Sequence, residues 1–256
     1  MIYLFVSAAA AAAAVCVWLI VRRRPHALFV LTYEKLGRAP ADSRLKHEWT
    51  SPNQLEKMLL FLKKHGFSSI PLSSLQANEK LPAKPVLLAF VGGYQSFMAE
   101  VFPLLQKYHM QAALFVPPAL LGQYNAWQDP HIEPWQNILT INEIKTLAKS
   151  GLISLGAMTL SGEDLSLLSA EERAFLLSES VFRLHKLTGV AVNGFSLYPT
   201  QVKREEQAAA LLPAEFTLPV LTGIKGLNPR RRPQLIKTLF PARCPLAVRF
   251  SLWKHR

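Results

Sequence analysis

The chain has 256 residues, of which half are hydrophobic and 18% are charged, so it is long enough for one large domain and too apolar for a disordered chain. Its net charge of +12 suits an anionic membrane surface or an anionic glycan, and equally a solvated basic surface. No nucleic-acid-binding motif accompanies the charge, which argues against nucleic acid as a partner. Cys16 and Cys244 lie near opposite ends of the chain, so we expect no structural disulfide within the domain.

The first segment of the chain is a candidate membrane helix. No charged residue occurs between Ile2 and Val21, and the charges follow as Arg22, Arg23 and Arg24. That length is about what one bilayer crossing needs. A cleaved signal peptide would carry basic residues before the apolar run, so we expect an uncleaved, single-pass anchor in the inner membrane. Because basic flanks stay on the cytoplasmic side, the three arginines predict a cytoplasmic domain.

Strands and helices alternate along the rest of the chain. Short apolar runs bounded by Pro or Gly predict strands at 27–33, 67–72, 85–91, 111–116, 153–158, 192–198 and 216–221. Periodic apolar residues predict helices at 52–64, 97–107, 141–150, 169–188 and 205–212, and Thr140 with Glu143 predicts a capping box. This alternation indicates a parallel α/β sheet, and about seven strands favour a barrel. The predicted division is an anchor at 1–24 and a domain at 25–256.

The strand at 85–91 leads into two glycines and a tyrosine. The stretch reads Ala89-Phe90-Val91-Gly92-Gly93-Tyr94 and resembles the T-F-D-D-G-Y signature of polysaccharide deacetylases of the NodB homology family. The resemblance covers about residues 28–255. It implies an irregular (β/α) barrel of about seven strands that removes N-acetyl groups from a glycan and does not cleave peptide bonds. In the family the first aspartate is the general base and the second binds a divalent metal, usually zinc; Val91 and Gly92 stand at these positions.

The second signature of the family, H-T-x-T-H-P-D-L, carries two metal-binding histidines. Met158 and Gly162 stand at their positions here, although Thr159 and Asp164 keep the frame. A thioether is a poor ligand for zinc. The resemblance therefore implies a relative without the metal cofactor and without the base, and we expect it to be inactive. Restoring aspartates at 91 and 92 and histidines at 158 and 162 should rebuild a metal site if the pocket keeps its shape.

Two other groups of residues offer alternative chemistry. Glu163 and Asp164 are adjacent after the strand at 153–158, where they form either an acidic site or a loop with a helix cap. His131 lies beside Asp129 and Glu133, which could bind a metal weakly or belong to a polar loop. Both alternatives remain open from the sequence.

Four aromatic residues are candidate glycan contacts. They are Tyr94, Trp127, Trp135 and Tyr198. Both tryptophans lie on a long predicted loop at 121–135, where a sugar ring could stack on them or where they could pack over the barrel mouth. Tyr198 precedes a proline and keeps the Y-P pair of the family's third signature, whereas the arginine and the late histidine of the family are missing.

We therefore expect a membrane-anchored relative of polysaccharide deacetylases that acts in bacterial polysaccharide or glycolipid assembly. It would bind a glycan or a lipid-linked sugar, or organise other assembly proteins, without catalysis. One alternative is an active N-deacetylase with an unusual site. Another, from a different class, is a basic scaffold at the membrane surface.

Overall fold

A computed structural model describes residues 27–76, 80–197, 204–229 and 234–239. The predicted anchor at 1–24 lies outside these ranges, as do Cys244 and the candidate Tyr198. Within the described ranges, no helix combines the length and the apolar character needed to cross a bilayer.

The described residues contain short strands alternating with helices. The strands are β1 (Ala27–Tyr33), β2 (Lys35–Leu36), β3 (Trp49–Thr50), β4 (Ser68–Ser69), β5 (Pro85–Val91), β6 (Ala112–Val116), β7 (Ile153–Ala157), β8 (Val192–Ser196), β9 (Val220–Lys225), β10 (Asn228–Pro229) and β11 (Leu235–Thr238). The α-helices are α1 (Pro52–Lys64), α2 (Phe102–Tyr108), α3 (Ile141–Lys149), α4 (Ala170–Thr188) and α5 (Glu205–Leu211).

Seven parallel strands form a nearly closed barrel in the order β1, β5, β6, β7, β8, β9 and β11. The residue after β11 returns to the first strand: Leu239 N–H donates to Val30 O at 2.8 Å, and Thr32 N–H donates to Leu239 O at 2.9 Å. The predicted (β/α) barrel of about seven strands is confirmed.

Side chains on each strand alternate between the barrel interior and the helix layer. On β5, Leu87, Ala89 and Val91 belong to the interior cluster, whereas Leu88 and Phe90 pack with the helices. Both faces of the strand are buried, which is why β5 reads as a continuous apolar run. The alternation directs the side chain of the last strand residue, Val91, into the barrel.

The predicted capping box at the start of α3 is confirmed, and α1 and α4 begin in the same way. In α4, Ser169 N–H donates to Glu172 Oε2 at 2.8 Å. This backbone hydrogen bond to the carboxylate lowers the pKa of Glu172.

Three elements differ from their predictions. The strand at 67–72 is reduced to Ser68–Ser69, because the chain turns at Pro71 into a 3-10 helix, Leu72–Leu75, that fills the amino end of the barrel. The helix at 97–107 starts as a wide π turn, Phe97–Val101, next to Pro103, which has no N–H for the regular ladder. The strand predicted at 216–221 begins only at Val220, after Pro219.

Candidate functional site

The candidate site lies where β5 and β7 end on either side of β6. Gly92 N–H donates to Phe115 O at 3.1 Å, and Met158 N–H donates to Val116 O at 2.9 Å. Gly92, directly after β5, and Met158, directly after β7, are thus both hydrogen-bonded to the carboxyl end of β6. Val91 and Met158 are both buried in the interior cluster. The structure therefore brings together the first three family positions, Val91, Gly92 and Met158, at one end of the barrel.

Gly92 adopts a conformation that only glycine takes easily, and an aromatic ring covers it. Its φ is +105°, and a Cβ built on it would lie 2.4 Å from Cε2 of Tyr94. Tyr94 is buried and packs with Leu120 and Ile138. The ring thus occupies the direction that a side chain at position 92 would take.

Gly162, the fourth family position, is covered in a similar way. Its φ is +94°, and a Cβ would lie 2.6 Å from Cβ of Trp127 and 2.8 Å from Cγ of the same residue. The rings of Tyr94 and Trp127 are neighbours, with centroids 6.2 Å apart and an interplanar angle of 49°. Together these two rings connect the two glycines, and we call them the aromatic plug.

The residues at the four family positions do not fit the divalent metal that the family uses. Valine and glycine offer no donor atom, and the thioether of Met158 is buried in the apolar interior. A side chain restored at position 92 or 162 would meet these rings, because an added Cβ would lie 2.4 Å from Cε2 of Tyr94 and 2.6 Å from Cβ of Trp127. No step of a metal-dependent reaction can be assigned to these side chains.

Glu163 and Asp164 make hydrogen bonds within their own loop. Glu163 accepts a hydrogen bond from Ser161 N–H at 2.9 Å and another from the Ser161 hydroxyl. Asp164 accepts from the backbone N–H and the hydroxyl of Ser166 at 2.9 and 2.7 Å, capping the 3-10 helix Leu165–Leu167. These contacts support the loop-and-cap interpretation over an acidic site.

The side chains of the other candidate group, His131, Asp129 and Glu133, do not point to a common site. Asp129 accepts from the backbone N–H of His131, whose side chain is exposed. Glu133 is fully buried, accepts from Trp49 Nε1 at 2.8 Å and lies 3.8 Å from Lys35 Nζ. Across the described ranges, no three His, Cys, Asp or Glu side chains are grouped so that they could bind a metal.

Tyr33, at the end of β1, points away from the barrel interior. It belongs to the helix-facing core and stacks on Phe90, with ring centroids 5.1 Å apart. Burial raises the pKa of its phenol far above the ordinary value. The phenol is therefore neither placed nor ionised for chemistry at the strand ends.

Three of the four aromatic candidates lie in the described residues, and each is part of an aromatic pair. Tyr94 and Trp127 form the plug, whereas Trp135 stacks on Tyr124, with centroids 4.3 Å apart and planes at 17°. Tyr124 and Trp135 remain 43% and 45% exposed. Tyr124 was not among the four predicted contacts, although it lies on the same long loop as both tryptophans, which was a usable signal.

Comparison with known proteins agrees with the barrel and its strand-end loops. The model of the polysaccharide deacetylase family matches residues 78–211, slightly more than half of the chain. Among curated proteins, the poly-beta-1,6-N-acetyl-D-glucosamine N-deacetylase of Escherichia coli K12 is 25% identical over 150 residues. That match covers 53% of this chain and only 21% of the relative, so the chain corresponds to about a fifth of the relative's length.

Solved structures share the fold at lower identity. IcaB from Ammonifex degensii superposes with a TM-score of 0.69 and 19% identity, covering 90% of this chain and 98% of that one. A polysaccharide deacetylase from Bacillus cereus has the same score and identity, covering 90% of this chain and 69% of that one. A de-N-acetylase from Aggregatibacter actinomycetemcomitans gives a TM-score of 0.68 at 16% identity, covering 88% and 99%.

Proposed function

This chain belongs to the polysaccharide deacetylase family, and from that premise we propose that it binds a glycan at the carboxyl end of its barrel without deacetylating it. The observation that carries the proposal is the composition of the four family positions. Val91, Gly92, Met158 and Gly162 provide neither a base nor a metal ligand, and the rings of Tyr94 and Trp127 cover the two glycines.

The chemical argument concerns the attacking water. A metal ion lowers the pKa of bound water from about 16 to about 7, which makes hydroxide available at neutral pH. A general base contributes a further factor by accepting the proton. With valine at the base position and no ligand side chains, both contributions are lost together. Binding energy for the ground-state glycan does not replace them, because only interactions that strengthen in the transition state accelerate the reaction.

The similarity to a poly-beta-1,6-N-acetyl-D-glucosamine N-deacetylase indicates which glycan to test. We propose a polymer containing N-acetylglucosamine, β-1,6-linked, as the ligand. The setting would be bacterial polysaccharide or glycolipid assembly, with the chain recruiting glycan or lipid-linked sugar to other assembly proteins.

The membrane part of the proposal rests on the sequence. The uncharged run between Ile2 and Val21 would anchor the chain, and Arg22, Arg23 and Arg24 would hold the domain on the cytoplasmic side. A single-pass protein of this kind would keep its barrel next to the bilayer where lipid-linked sugars are handled.

The test combines metal content, turnover and binding on the purified full chain. We expect no stoichiometric zinc by elemental analysis and no release of acetate from β-1,6-linked N-acetylglucosamine oligomers, with the E. coli relative as the positive control. We also expect oligomer binding in titration calorimetry that is unchanged by a chelator. Zinc-dependent release of acetate by the unmodified chain would contradict the proposal and favour the active hydrolase. The absence of any glycan binding would contradict the proposed binding function.

A further inference from the structure

Tyr124 and Trp135 form an exposed aromatic pair beside the candidate site. Their ring centroids lie 4.3 Å apart, and each side chain is nearly half exposed. We propose that this pair is the surface on which a pyranose ring of the glycan stacks. The inference rests on the proposed glycan-binding function and assigns to it a contact separate from the four family positions.

The pair is held in place before any ligand arrives. Trp135 Nε1 donates to Gln128 O at 2.7 Å, which fixes the orientation of the indole. The backbone around the rings is paired as well: Asn125 N–H donates to Gln136 O at 3.1 Å, and Gln136 N–H donates to Asn125 Oδ1 at 2.6 Å. A preorganised aromatic surface loses little conformational entropy on binding, which favours affinity for a flexible oligosaccharide.

Hydrogen bonds among residues 93–95, 123–125 and 136–139, which together we call the ribbon, connect the aromatic pair to the loop after β5. Tyr124 is bridged to Asn137, and Gln95 N–H donates to Asn137 O at 2.8 Å. Leu139 N–H donates to Gly93 O at 2.8 Å. The segment 137–139 therefore pairs on one side with the residue that carries the Tyr124 ring and on the other with the loop that carries Gly93 and Tyr94.

The polar side chains on this ribbon are neutral amides. Gln95, Gln123 and Asn137 are exposed, and Asn137 Nδ2 lies 3.4 Å from Gln95 Oε1. Primary amides both donate and accept hydrogen bonds, which matches hydroxyl and N-acetyl groups. None of the three is charged, so these side chains offer no ion pair to an anionic lipid headgroup. An aromatic face flanked by amides fits a neutral N-acetylhexosamine, whose ring presents C–H groups to the rings and polar groups at its edge.

The test is titration calorimetry of the full chain with β-1,6-linked N-acetylglucosamine oligomers. We expect Tyr124→Ala and Trp135→Ala each to weaken binding by about tenfold, near the upper end of what one aromatic contact contributes. Trp135→Phe, which keeps a ring, should recover most of the affinity. The matched control is Phe175→Ala, because Phe175 is 68% exposed on α4, outside the ribbon. Thermal unfolding of each variant separates loss of a contact from loss of fold.

The outcomes distinguish this inference from the proposed function. Binding by the unmodified chain that falls in the two alanine variants and survives in the Phe175 variant supports the stacking surface. Equal affinity in all variants refutes the stacking surface alone and leaves glycan binding elsewhere on the barrel. No binding by the unmodified chain refutes both. Equal loss of affinity in folded Trp135→Phe and Trp135→Ala would contradict the expectation that a phenyl ring at position 135 restores the contact.

Discussion

Replacing Gly92 by alanine tests whether the ring of Tyr94 fills the space that a side chain at position 92 would take. The substitution adds one methyl group at a backbone φ of +105°, at a point 2.4 Å from the ring of Tyr94. Gly151 offers a matched control, because it also has positive φ, +71°, but no atom lies within 4 Å of its Cβ position. Both variants place a Cβ on backbone of positive φ, although +105° lies farther from the left-handed helical region than +71°, and only the variant at 92 meets the ring.

The expected magnitude has two parts. An L-residue with positive φ costs about 1–2 kcal/mol. Inserting a methyl group into packed space costs about 1–3 kcal/mol more. Gly151→Ala should lose only the first amount, whereas Gly92→Ala should lose about 2–5 kcal/mol, a large part of a typical domain stability of about 5–15 kcal/mol. For a chain of this size, the melting temperature should fall by about 2–4 °C per kcal/mol.

Urea and thermal unfolding monitored by circular dichroism measure these losses. Adding Tyr94→Ala completes a double-mutant cycle, in which alanine at 92 should cost about 1–3 kcal/mol less once the ring is gone. If alanine at 92 costs the same with and without the Tyr94 ring, the ring does not occupy that space and our reasoning is wrong. An aspartate at 92 has the same Cβ, so we expect that restoring the family's ligand displaces the ring of Tyr94 from its present position.

Three further predictions concern the buried ion pair, the helix cap and the anchor. Glu133→Ala should destabilise the chain by about 1–3 kcal/mol in urea unfolding, because Trp49 Nε1 loses its buried carboxylate acceptor, whereas Lys35 keeps Glu48 at 3.0 Å. The stabilisation from Glu172 is present above its ordinary carboxyl pKa of 4.5 and is lost as the pH falls through the lowered value in the folded state, so Glu172→Gln should flatten the acid side of the thermal-stability profile. A flat profile in the unmodified chain would contradict this. Neutralising the arginines at 22–24 should weaken the cytoplasmic orientation of a reporter fused after Arg256, and periplasmic labelling of the unmodified domain would overturn the predicted topology.

Sequence patterns predicted the central strands because their composition is set by burial on both sides. In β1, β5 and β6 nearly every residue is buried, so a mostly apolar run marks each strand, and in β5 and β6 the run ends at Gly or Pro. The strand at 67–72 failed this rule because Leu72 is buried in the barrel as part of a 3-10 helix, with its N–H donated to Ser154 Oγ at 3.1 Å. Burial alone does not distinguish a strand from a buried 3-10 helix of this kind.

The site was predictable in its location and not in its packing. Parallel strands direct their carboxyl ends to one edge, so Val91, Gly92 and Met158 had to approach one another once the strands were assigned. The covering of Gly92 and Gly162 depends on backbone angles and on the path of the loop carrying Trp127. These features are set by long-range contacts, which a single sequence does not display.

Closure of the barrel has a consequence for how the chain folds. The hydroxyl groups of Thr32 and Thr238 bond to each other across 206 residues of sequence. Because β10 and Leu239 also pair with β1, the free edge of β1 is covered only after residues 228–239 have been made. Until then, a growing chain presents unpaired edges on β1 and β9, and such edges promote association between chains. Contacts this distant in sequence also slow folding. We therefore expect refolding from urea to be slow and its yield to fall as protein concentration rises, with the loss beginning in chains that have yet to join their first and last strands.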